Sequence, residues 1–141
     1  MNKKLWIAFF VVFVVWIVLN VVVHSAILGA AYQSDEMMKV WRPDMMSKMY
    51  ITYINTFIMS FFFVLIYSKW YKRGNIAEGI QYGVYVGFLM ATPMAYSLYA
   101  MFPIPYPIAV QWFMYGMIHY IIIGIVVALM CGKKEPATPA Q

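Results

Sequence analysis

The sequence predicts an all-α integral membrane protein, a four-helix bundle of membrane-spanning helices. Three observations predict it. Hydrophobic residues make up 65% of the 141 residues and charged residues only 11%, far from the roughly 45–50% and 25% of soluble domains. Four apolar stretches, at residues 5–31, 49–67, 80–101 and 108–131, match the length of about 20 residues that a helix needs to cross the hydrocarbon core. Backbone groups in lipid must also bond within their own segment, which leaves helix as the reading for unbroken runs of this length. The bundle forms a single domain over residues 1–135, followed by a disordered tail at 136–141.

The first run is rich in valine, a strand former, but its length and apolar setting override that propensity. Lys3 and Lys4 give it a basic start like that of a signal peptide. Its apolar core continues well past the roughly 7–15 residues of a signal, so it reads as an uncleaved helix although Gly29, Ala30 and Ala31 follow. The first connection, Tyr32 to Lys48, reads as a short helix lying at the outer membrane surface. Ser34 caps that helix, Asp35 and Glu36 suit its first turn, and Pro43 precedes the second span. Pro93 should kink the third span and free a carbonyl for Thr92 or Ser97 to satisfy. Pro103, Pro105 and Pro107 then make a stiff, extended turn into the fourth span.

Orientation follows from the basic residues. Lys3, Lys4, Lys69, Lys72, Arg73, Lys133 and Lys134 fall on one side, and Lys39, Arg42 and Lys48 on the other. This bias places both termini in the cytoplasm and the chain in a cell inner membrane. Trp70, Tyr71 and Tyr106 suit the interfaces. The net charge of +5 is spent on these anchors, so no nucleic acid is expected as a partner. The lone cysteine, Cys131, builds neither a disulfide nor a metal cluster.

Glycines at 79, 83 and 87 form a smooth helix face for close packing against a neighbour, inside this chain or on another. Two histidines lie within spans, His24 with Asn20 one turn away and His119 with Tyr115 one turn away. Intramembrane histidines are candidate ligands, although hydrogen bonding to a tyrosine or carbonyl explains them with fewer assumptions. A shared haem requires both at one depth, whereas the expected span ends put them about 9 and about 18 Å below the outer boundary. Met37, Met38, Met45, Met46 and Met49 crowd the outer loop and the start of the second span. Thioethers select copper(I), but methionine is also a flexible apolar filler. Tyr32, Trp41, Arg42 and Trp112 make an outer pocket or a lipid-headgroup anchor, the anchor being the simpler reading. Glu78 is expected to pair with Lys72 or Arg73. No carboxylate falls mid-span, which counts against ion-coupled transport. No nucleophile elbow, metalloprotease helix or phosphate loop is present, so the chain reads as no enzyme and needs no cofactor.

His24, Tyr32, Trp41-Arg42, the glycines at 79, 83 and 87, and the Pro103-Ile104-Pro105 turn ahead of Trp112 occur in this order along the chain. In that order they resemble small four-helix bacterial integral membrane proteins without an assigned activity. The resemblance covers nearly the whole chain and implies the topology alone.

The expected function is that of a non-catalytic accessory or assembly subunit of a larger membrane complex. Its partners are the lipid bilayer and other membrane subunits or a second copy. One alternative is a small oligomeric transporter or channel, with a path through Asn20, His24, Asn55, Tyr82, Tyr85 and His119. Another is a copper or haem protein using His24, His119 and the outer methionines.

Overall fold

The computed structural model describes residues 3–132, so Lys133, Lys134 and the expected tail at 136–141 lie outside the described residues. Every regular element among them is helical. In chain order these are α1 (Lys3–Ile27), α2 (Gly29–Tyr32), α3 (Asp35–Val40), α4 (Met45–Trp70), α5 (Ile76–Met101) and α6 (Tyr106–Cys131). α1, α4, α5 and α6 are long and apolar enough to cross a membrane.

Four of the eight span ends differ from the hydropathy reading by about a helical turn, and the ends at 101 and 131 agree with it. α3 forms where expected, with Ser34 Oγ accepting from the Met37 amide at 3.4 Å. α5 opens at Ile76 because Asn75 Oδ1 accepts from the Glu78 amide at 2.9 Å, a cap that adds a polar first turn invisible to hydropathy. α4 likewise starts at Met45 rather than Met49, and runs to Trp70.

Two helices change gauge. α1 turns π-helical over Val22–Ile27 and breaks at Leu28, which ends it before residue 31. α5 turns π-helical over Pro93–Ser97. Proline lacks the amide that the preceding turn needs, and a wider turn accommodates it.

The long helices alternate in direction. Phe9 meets Phe57 at 4.8 Å and Trp6 meets Phe61 at 6.2 Å, so α1 and α4 are antiparallel. Lys4 donates to the carbonyls of Cys131 at 3.2 Å and Gly132 at 2.7 Å, which sets α1 antiparallel to α6 and places a cation on the end of the α6 dipole. Lys3, Lys4, Lys69, Lys72 and Arg73 thus share one end, the basic end. Tyr32, Trp41 and the proline turn share the other, the tryptophan end. α1 packs on α4 and on α6, and α6 packs on α5. Tyr82 of α5 closes the bundle by donating to the Phe63 carbonyl of α4 at 2.8 Å.

The α5–α6 contact explains the glycines. Gly79, Gly83, Gly87, Ala91 and Ala95 recur every fourth residue and are all buried. A Cβ on Gly79 would come within 2.6 Å of the Ala128 Cβ, and one on Gly83 within 2.8 Å of the Ile121 Cα. Gly116 answers from α6, where a Cβ would lie 2.9 Å from that of Ala91. The partner of the glycine face is therefore α6 of the same chain, so association with another molecule has to use a different surface. In lipid, where burial carries little hydrophobic drive, such backbone proximity supplies the dispersion contacts that hold helices together.

α4 is anchored unevenly. Its second half supplies Phe63, Val64 and Tyr67 to the core. In its first half, every residue from 46 to 55 is exposed.

Candidate functional site

A cavity of about 90 Å³ lies between α1, α5 and α6. Asn20 and His24 face it from α1, and Tyr115 and His119 from α6, with Trp16, Val23, Met94, Trp112, Gly116 and Tyr120 completing the wall. The two histidines that sequence depth set apart are thus brought to one space. Side chains lean toward the amino end of their own helix. Because α1 and α6 are antiparallel, His24 near the tryptophan end and His119 near mid-helix lean toward each other. Both π-helical turns contribute to the wall, through Val23 and His24 in one and Met94 in the other. Such turns are frequent at functional sites because they re-aim side chains without breaking the helix.

His119 is 8% exposed, and its Nε2 has no hydrogen-bond partner. Its ring packs on Trp16 with centroids 5.3 Å apart. A space of this size holds about three water molecules at ~30 Å³ each, which is one way to satisfy the nitrogen.

Tyr32 builds the roof. Trp112 Nε1 donates to its hydroxyl at 2.6 Å, and the same oxygen lies 2.6 Å from His24 Nδ1. Trp41 Nε1 donates to the Tyr32 carbonyl at 3.2 Å. Burial pushes the Tyr32 phenol up to about 12, with the Trp112 hydrogen bond pulling the other way. The phenol is therefore neutral, and the imidazole tautomer sets which of the Tyr32 hydroxyl and His24 Nδ1 donates in their contact.

Of the residues named for the outer pocket, Tyr32, Trp41 and Trp112 are in contact, and Arg42 does not join them. Its guanidinium pairs with Asp44 through Nε at 2.5 Å and Nη2 at 3.2 Å, and both side chains are about half exposed. The methionine cluster also divides. Met37 is fully buried against Ile104 and Ile108, whereas Met38 and Met46 are 60% and 78% exposed. The expected polar path divides as well. Asn20, His24 and His119 share the cavity, but Tyr82 is committed to Phe63, Tyr85 is exposed beside Gln81, and Asn55 faces outward on α4.

Glu78 accepts from the backbone amides of Lys72, Arg73 and Gly74 at 2.6–3.3 Å, not from a basic side chain. Among the described residues no three His, Cys, Asp or Glu side chains gather in one place. Sequence reasoning passed over Trp16, Met94 and Gly116. Gly116 carried a signal, since its eight-residue spacing to Gly124 places both on one face of α6; Trp16 and Met94 carried none within apolar spans.

The chain matches no known protein family, no curated protein and no solved structure.

Proposed function

We propose that the protein is a non-catalytic subunit of a larger membrane assembly that docks through the first half of α4. The observation that supports this most is the exposure of every residue from 46 to 55. A helix that serves only its own bundle keeps one stripe buried along its length. This stretch buries none, and it is not purely apolar: Lys48, Thr52 and Asn55 lie on one face at spacings of four and three. Asn55 sits ten residues into α4, about 15 Å deep at 1.5 Å per residue and so near the middle of the hydrocarbon core. An amide there has no water to bond, and a hydrogen bond across to another helix is the usual resolution.

The chain sits in this reading in a cell inner membrane with both termini cytoplasmic. The basic end then faces the cytoplasm, which agrees with the excess of Lys and Arg there. α3 lies at the outer surface with Trp41 at headgroup level. The polar residues form no continuous path, which weighs against transport by the single bundle.

Purification from the native membrane in mild detergent tests the reading. Larger membrane subunits are expected to co-purify in fixed ratio, and Asn55→Leu to release them while the bundle stays folded. A chain that purifies alone at native expression overturns it.

A further inference from the structure

The cavity beside His119 carries a donor set of a particular kind. His24 and His119, with an imidazole each, and Met94, with a thioether, line it, Met94 from its open side with 53% of its surface exposed. No carboxylate lines it, and Asn20 is its sole side-chain amide. Calcium and magnesium demand several oxygen ligands and find too few. Imidazole nitrogen with thioether sulfur instead suits a soft ion, copper(I) above all.

His119 and His24 are prepared for that role in different ways. Nε2 of His119 is buried and unpartnered, a ligand atom without a ligand. His24 is held from behind. A proton on its Nδ1 can be donated to the Tyr32 oxygen at 2.6 Å, where Trp112 also donates. A phenol oxygen has two lone pairs and accepts both. In that tautomer Nε2 of His24 is free to bind, and an outer partner that fixes ring and tautomer is what metal-bound histidines possess.

We propose that His24, His119 and Met94 form a copper(I)-binding site inside the bundle. This goes beyond the subunit reading and does not depend on it. The site takes one soft monovalent ion, in a space too small for a larger ligand and walled by the Trp16 and Trp112 rings.

The experiment titrates purified protein in detergent with silver(I), and with copper(I) under reducing conditions. Bound metal is read by mass spectrometry and tryptophan fluorescence follows the site. One ion per chain is expected, with quenching from Trp16 and Trp112. His119→Gln, His24→Gln and Met94→Leu should each weaken binding at least tenfold, and Zn(II) should not compete. Met94→Leu preserves size and apolarity, so it reports on the sulfur where a histidine variant fails to fold. Met46→Leu, at an exposed position on α4, should leave binding unchanged. Absence of a bound ion, unchanged affinity in Met94→Leu, or loss of binding in Met46→Leu overturns the proposal, the last by assigning the ion to the exposed methionines.

Discussion

Tyr32 does three jobs at the tryptophan end. Its hydroxyl ties Trp112 to His24, its carbonyl receives Trp41, and its ring stacks on the His24 imidazole at 5.9 Å. Tyr32→Phe removes the hydroxyl and strands a half-buried indole N–H, so a loss of about 1 kcal/mol is expected. Thermal unfolding with tryptophan fluorescence checks it, since the signal comes from the affected residues. The raised phenol predicts a pH effect of definite sign. The folded state holds this proton more tightly than the unfolded state does, so the stability it confers is complete below about pH 10 and is lost as pH climbs toward about 12. Alkaline unfolding of wild type and Tyr32→Phe should differ in that window, with the variant losing less. The roof residues were named from sequence because tyrosine and tryptophan flanking a span are conspicuous. Their hydrogen bonds were not legible, since Trp112 lies eighty positions from Tyr32 and only the fold brings the two together.

At the scale of elements, α5 and α6 fit through backbone proximity. Gly83→Leu should push the helices apart and cost about 1–3 kcal/mol or more, measured as a lower unfolding midpoint in detergent. Gly29→Ala is the control and should be near neutral, because its nearest neighbour is the His24 carbonyl oxygen at 3.9 Å. The periodicity of the glycines was plain in the sequence. Which helix answers them was not, because a small-residue stripe specifies closeness and leaves the partner open. The α4–α5 turn is held by Glu78, whose carboxylate gathers three consecutive amides around Gly74 with its positive φ of 71°. Glu78→Gln should lower the unfolding midpoint, because hydrogen bonds to a charged acceptor are the stronger ones. Hydrogen exchange at residues 72–74 should rise in that variant.

Across the whole molecule, the four long helices were legible because lipid leaves a chain few options. The packing order α4–α1–α6–α5 was not, since helices apolar on every side carry no stripe that names a core face. The uneven anchoring of α4 was only partly legible: its first half is the more polar, with Lys48, Thr52 and Asn55, but what surrounds each half was hidden. A consequence for orientation is testable. A reporter fused after residue 132 should be active only in its cytoplasmic form, and one inserted near Ser34 only in its exported form. The reverse pattern would invert the bundle and place the basic end outside.

The π-helical turn at Val22–Ile27 has a consequence for how this chain tolerates insertion and deletion. Such a turn is one residue too many within an α-helix. Removing one residue there leaves a continuous helix of nearly the same length, still apolar and still able to cross the bilayer. The segments on either side also keep their phase, because the wider turn holds its extra residue without rotating its flanks. Phe9, Val12 and Trp16 would stay in place, and Tyr32 would still reach Trp112. What is lost is the aim of Val23 and His24 within the turn, so a one-residue deletion there should disturb the cavity wall while sparing the core.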